Sequence, residues 1–194
     1  MTTPARQSGR RPSTSRSTIS SAAMRLFREH GYADTSVDDI AGTVGISRRT
    51  LFRYFSTKAA IAWGEFDVEI ARMQERLGGI SPDVPLHEAL VEALIDFNTF
   101  PESETDVHRE RMRLLLDVEE LQAHSMLMYN DWRVAIAGFV AARRNESAED
   151  LIPSATGHAA LGIALSAYRT WVDEEGAGQA RLHQLLRLAT AILA

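Results

Sequence analysis

Residues 35–58 of the 194-residue chain read TSVDDIAGTVGISRRTLFRYFSTK. Val37, Ile40, Ala41 and Val44 recur at the i, i+3, i+4, i+7 spacing of a short amphipathic helix, and Gly45, Ile46 and Ser47 interrupt it. Glycine tolerates the positive φ that ends a helix, Ile46 is an apolar plug, and Ser47 suits the N-cap of a second helix, Arg48 to Tyr54. Two helices joined by a three-residue glycine turn read as a helix-turn-helix, whose second helix enters the DNA major groove N-terminus first. Here that end carries Arg48, Arg49 and Thr50, and arginine bonds guanine bidentately. Leu51 and Phe55 give the helix its buried side, while Arg48, Arg49, Phe52 and Arg53 face outward. Phe52 fits either the core or contact with a thymine methyl. A helical hairpin with a solvated basic face is the plainer alternative for the whole stretch.

From Ser36 to Lys58 the chain resembles the DNA-binding motif of the TetR family of one-component bacterial regulators: VDDIA, a glycine turn with Ile-Ser, then RRTLFRYF and Lys58. Ala22, Ala23, Leu26, Phe27, His30, Gly31 and Tyr32 match the family's preceding helix, so the resemblance spans residues 12–65. It departs at Ser56 and Thr57, where the family more often has Pro or another residue followed by Ser or Asn, although Thr57 still suits an N-cap. The resemblance implies an all-α, TetR-like fold, with a three-helix DNA-binding head on a six-helix ligand-binding and dimerisation body. It also implies operator contacts from Thr35, Ser36, Ser47, Arg48, Arg49, Thr50, Phe52, Arg53, Tyr54 and Lys58, the last two on phosphates. The expected organisation is a flexible basic arm over 1–16, the DNA-binding domain over 17–60 with its motif at 36–55, and the effector and dimerisation domain over 61–194.

A narrower similarity extends through AIAWGEFD. With Trp63, Gly64, Phe66 and Asp67 continuing the motif, the run resembles regulators associated with mycofactocin gene clusters in actinobacteria. That resemblance implies a repressor induced by a long-chain acyl-coenzyme A. A DNA-organising or division-control protein on the same fold, and an enzyme of unknown type, are the competing readings.

The net charge of −5 is unevenly placed. Residues 1–58 hold ten basic against four acidic side chains, and residues 59–194 hold eleven against twenty-two. A basic head suited to phosphates therefore precedes an acidic body that disfavours wrapping DNA. Cysteine is absent, which excludes disulfides and thiolate metal sites. No apolar run approaches the ~18 residues of a membrane span, so a cytoplasmic protein without membrane contact is expected.

In the Ser/Thr/Arg-rich arm, Arg6, Arg10, Arg11 and Arg16 fit phosphate or minor-groove contact, or a solubilising tail. Periodicity predicts helices over about 17–30, a long one from Lys58 to Leu77, then Leu86–Asn98, Ser103–Glu120, Ala123–Arg144, Pro153–Asp173 and Gly178–Leu193, nine in all. GGISPDVP, Gly78 to Pro85, reads as the clearest linker. The histidines form no H-E-x-x-H pair, and nucleophile elbow, phosphate loop and dinucleotide fingerprint are all absent, so no cofactor, metal or catalysis is expected. His108, Arg109 and Glu110 read as a solvated helix start.

Large apolar side chains suit a core and also, as the family resemblance implies, a ligand pocket: Trp63, Phe66, Ile70, Leu94, Phe97, Phe100, Met112, Leu116, Met126, Tyr129, Trp132 and Leu165. His158, Tyr129 or Arg133 would orient a polar group. The small-residue stripe Ala155, Ala159, Gly162, Ser166 and the face Leu182, Leu185, Leu186, Ala189, Leu193 read as a two-fold homodimer interface, or as intramolecular packing.

Overall fold

The computed structural model describes residues 14–193, so Arg6, Arg10 and Arg11 of the expected arm lie outside the described residues, as does the side chain of Leu193. Ten α-helices and two short 3-10 turns make up the described chain, and no strand occurs among its residues.

The head begins at Ser15, whose hydroxyl accepts from the Thr18 amide and caps α1 (Arg16–His30). Arg16 is thus a helix residue, bonded to Asp67 at 2.7 Å and to the Gly64 carbonyl at 3.1 Å, and does not belong to an arm. Gly31, at φ +84°, ends α1. Ser36 then starts α2 (Val37–Thr43) with a reciprocal capping box to Asp39. Gly45 at φ +69° makes the turn, and Ser47 caps α3 (Arg48–Leu51). This last helix is shorter than its expected span to Tyr54, because the amides of Arg53 and Tyr54 reach back three residues and tighten into turns. Ile19, Ala23, Phe27, Ile40, Leu51, Phe55 and Ile61 close the head's core, the larger side chains each contributing about 1.5–3 kcal/mol of burial.

The long helix expected from Lys58 to Leu77 is two helices. Thr57 caps α4 (Lys58–Trp63), and Gly64, at φ +69° and ψ −127°, breaks the chain before α5 (Phe66–Gly79). That backbone is glycine territory. Next come α6 (Leu86–Phe97), a 3-10 turn at Glu102–Glu104, α7 (Thr105–Asp117), α8 (Glu119–Arg144), α9 (Leu151–Asp173), α10 (Gln179–Thr190) and a final 3-10 turn, Ala191–Leu193. One apolar cluster runs without interruption from the head through Trp63, Met112, Leu115 and Leu121 to Trp171, Leu182 and Leu186. A second joins α5, α6, α8 and α9 around Leu94, Trp132, Ile136 and Val140. Head and body therefore share a core.

Two expectations for the body are corrected. Arg109 is buried: it lies 4.0 Å from the Trp171 ring and donates to the carbonyls of Trp171, Glu174 and Ala177, fastening the α9–α10 loop. Leu182, Leu185 and Leu186 pack inward within their own chain, so they are core and offer no docking face. What α10 and the turn after it expose is Leu188 and Ile192, 72% and 77% accessible, with Ala189 half-buried. On α9 the stripe of Ala155, Gly162 and Ser166 does face outward, with Ala159 half-buried. Its opposite side meets α8 closely, for a Cβ on Gly157 would stand 2.7 Å from the Arg133 carbonyl oxygen.

Candidate DNA interface and ligand cavity

The outer face of the helix-turn-helix presents Arg48, Arg49, Phe52, Arg53 and Tyr54 as exposed side chains. Arg48 is held by Asp38 at 2.7 Å and lies 5.3 Å from the Phe52 ring, whereas Arg49 makes no ion pair among the described residues. Phe52, 40% exposed, belongs to the surface. The Tyr54 hydroxyl donates to the Thr14 carbonyl at 2.9 Å, tying the chain ahead of α1 to this face. Ser47 and Thr50 share a hydroxyl contact of 2.9 Å at the start of α3.

Thr35 faces inward. It is buried, its hydroxyl donating to the carbonyls of Leu26 and Gly31, so its side chain shapes the α1–α2 corner and offers DNA nothing. Ser36 is the α2 cap described above. Lys58 has an inward task as well: Nζ donates to the Tyr32 carbonyl at 2.6 Å and the Thr35 carbonyl at 3.0 Å, 4.0 Å from the Tyr32 ring centre. Burial lowers its pKa from the ordinary lysine value, opposed by the charges of Glu120 and Asp34. Two of its three protons are in use, leaving one for a phosphate.

Behind the head lies a cavity of about 820 Å³, walled by parts of α1, α4, α5, α7, α8 and α9 and by the end of α6 with its following loop. An aromatic wall runs across it. Trp63 meets Phe66 and Tyr129 with ring centres 4.6 and 5.3 Å apart, Phe66 meets Phe97 at 5.8 Å, and Phe97 meets Trp132 at 6.1 Å, all edge-on. Trp63 Nε1 is buried there with no hydrogen-bond partner.

Another part of the wall is polar. Asn98 Nδ2 donates to the Leu94 carbonyl at 2.6 Å, which turns Oδ1 toward the Tyr168 hydroxyl, 2.6 Å away. The tyrosine proton goes to Asn98, so its oxygen accepts from His108 Nε2–H at 2.7 Å, and His108 keeps Nδ1 bare. Phe100, Tyr168 and Trp171 surround this imidazole, and burial, helped by the positive charge of Arg111, pulls its pKa down to about 3. Burial likewise raises the Tyr168 phenol. Both groups are neutral hydrogen-bonding partners at any physiological pH.

A family model described as "Bacterial regulatory proteins, tetR family" matches residues 19–62, and one described as "MftR C-terminal domain" matches residues 84–194. The chain belongs to the TetR family. This TetR-family transcriptional regulator is 50% identical over 167 residues to the "Putative mycofactocin biosynthesis transcriptional regulator MftR" of Mycobacterium tuberculosis, covering 86% of this chain and 84% of that protein. It is 30% identical over 140 residues to the "HTH-type transcriptional regulator EthR" of Mycolicibacterium smegmatis, covering 70% and 64%. Among solved structures, Thermus thermophilus FadR in complex with lauroyl-CoA aligns with a TM-score of 0.59 at 22% identity, over 90% of this chain and 93% of that one. The fatty acid degradation regulator FadR of Bacillus halodurans gives 0.66 at 16%, over 92% and 93%. Both likenesses concern the fold.

Of the side chains proposed for the regulator's cavity, Trp63, Phe66, Phe97, Phe100, Met112, Tyr129, Trp132 and Leu165 do line it. Ile70 and Leu94 are buried in the second core cluster instead, and Leu116 packs against the first. Met126 is 60% exposed on α8. Arg133 and His158 meet each other at 3.3 Å on the α8–α9 surface, away from the cavity. The polar members Ser20, Asn98, His108, Arg111 and Tyr168, and Met24 beside them, escaped the sequence reading. They come from three helices and a loop, and in sequence each polar residue looks like an ordinary solvated position.

No helix of the described residues is long and apolar enough to cross a membrane.

Proposed function

We propose that this regulator is a repressor that binds a palindromic operator as a homodimer and is released by an apolar or acyl ligand, a long-chain acyl-coenzyme A fitting best. The carrying observation is the placement of α4. At one end Lys58 grips the corner between α1 and α2, and at the other Trp63 and Gly64 line the cavity, so one six-residue helix touches both sites. A cavity of about 820 Å³ with an aromatic wall suits a long acyl chain. The lauroyl-CoA complex of a protein of similar fold adds support.

Operator contact falls to Ser47, Arg48, Arg49, Thr50, Phe52, Arg53 and Tyr54, with Lys58 supplying one phosphate bond. The dimer forms on the outward small-residue stripe of α9, with Leu188 and Ile192 alongside. Linkage requires the ligand to prefer the DNA-free state, by ~1–3 kcal/mol for a usual coupling, and operator to weaken ligand binding by the same factor. Titration of acyl-coenzyme A thioesters of rising chain length, with and without operator, tests this. Equal affinities in both titrations for every ligand that binds would rule the mechanism out.

A further inference from the structure

Resting on the acyl-ligand reading above, we propose that the cavity takes an amphiphile bearing an anionic group, that Arg111 receives this group, and that the guanidinium thereby lets go of the DNA-binding head. Arg111, on α7, is enclosed in the cavity wall. Its Nη1 donates to the Ala62 carbonyl near the end of α4, and Nη1 and Nη2 reach the Ser20 hydroxyl of α1 at 3.3 and 3.2 Å. Ser20 in turn donates to the Ile61 carbonyl at 3.0 Å. This one side chain therefore joins a body helix to two helices of the head.

What Arg111 lacks is an anion. The cavity's other arginines have carboxylates: Arg72 has Glu69 at 2.8 Å, Arg25 has Glu29 at 3.5 Å and Arg28 has Glu110 at 3.8 Å. No carboxylate among the described residues lies within 4 Å of Arg111. Exposed Glu104 acts on it only through space, and burial, the larger effect, disfavours its charge. A guanidinium taken from water and held by neutral acceptors alone is left under-compensated, and an entering anion offers the missing partner.

The geometry makes that partner a competitor. A carboxylate or phosphate that meets the guanidinium end-on engages Nη1 and Nη2 through two parallel N–H bonds, and those are the donors now serving Ser20 and Ala62. Gly64 shows how little slack surrounds them, since a Cβ there would stand 3.0 Å from Arg111 Nη1 and 3.2 Å from Ser20 Oγ. Meanwhile Trp63, Phe66 and Phe97 offer the apolar remainder a place. Arg16, joined to Gly64 and Asp67, is untouched by the exchange, so the head loosens on one side of the α4–α5 break only.

Isothermal calorimetry with dodecanoate, dodecanoyl-coenzyme A and methyl dodecanoate tests the assignment. At least one anionic probe is expected to bind the wild type about tenfold or more tighter than the neutral ester, the usual gain from a charged hydrogen bond. In Arg111→Gln that advantage shrinks to about twofold or less. The probe whose advantage depends on Arg111 identifies the anion as a carboxylate or a coenzyme A phosphate. Ser20→Ala keeps the preference but lets the anion release operator at lower concentration. If the glutamine variant fails to fold, Arg111→Lys, which keeps the charge, is expected to retain the preference, and a folded lysine variant without it overturns the proposal. Equal wild-type affinity for anion and ester, or a preference undiminished in Arg111→Gln, also overturns it while leaving the acyl-ligand reading intact. If no probe binds at all, the acyl-ligand reading falls, and this assignment with it.

Discussion

Arg48 and Arg49 stand side by side at the head of α3 with different duties. Arg48 is drawn to Asp38, whereas Arg49 reaches outward and makes no ion pair among the described residues. Arg49→Ala is therefore expected to cost about 1–3 kcal/mol of operator affinity and to relax preference at one base pair, read by fluorescence anisotropy against single-base operator variants. Lys58→Met is expected to weaken every sequence alike, flatten the salt slope by about one phosphate contact, and lower the melting temperature, because the Tyr32 and Thr35 carbonyls lose their donor. A lower melting point with an unchanged salt slope would leave the lysine a structural role alone. For His108 the sign follows from its depressed pKa. Between about 3 and the unfolded value of 6.5 the unfolded chain binds a proton that the folded chain refuses, so stability is full above pH 6.5 and is lost as pH falls. From pH 6.5 to 5 the loss is at most about 2 kcal/mol. Urea titrations should show this slope in the wild type and its absence in His108→Gln.

At the scale of helices, the Ser47 and Thr57 caps and the glycine turn were legible from residue type alone, because each cap precedes a helical stretch and does cap it, whereas Ser15 and Ser36 were not read as caps. The break at Gly64 was not legible. Trp63, Phe66, Ile70, Met73 and Leu77 keep helical spacing straight across it, so periodicity saw one helix where the backbone makes two. The aromatic wall is built of large side chains on neighbouring turns, which helical spacing marks in the sequence. The polar wall is not so marked, because no local pattern shows Asn98, His108, Arg111 and Tyr168 as neighbours. In α10 the leucine period was correctly seen as a packed face but turned the wrong way. Leu186, fully buried, belongs to the core of its own chain, and Leu188 lies outside. Leu186→Asp should therefore unfold the protein by burying an unpaired charge, and Leu188→Asp should leave the fold intact and yield monomers. Sedimentation velocity with circular dichroism separates the two outcomes, and a folded Leu188→Asp dimer would move the interface elsewhere.

For the whole molecule, the continuous apolar cluster from Ile19 to Leu186 means that the head cannot shift without disturbing the body's packing. Cores of this kind tend to switch between discrete arrangements rather than deform smoothly. The break at Gly64 and the latch of Arg111 are where two such arrangements would differ, with Arg16 holding in both. The placement of the indoles has a practical result. Of the three tryptophans, Trp63 and Trp132 line the cavity, and Trp171 lies outside it beneath the Arg109 guanidinium. A ligand carrying a bromine or a nitroxide on its chain should dim the emission of the first two and spare the third, so Trp171→Phe should deepen the fractional quenching and Trp63→Phe should reduce it. Tryptophan emission would thus report occupancy of the cavity by the proposed ligand, without a label on the protein.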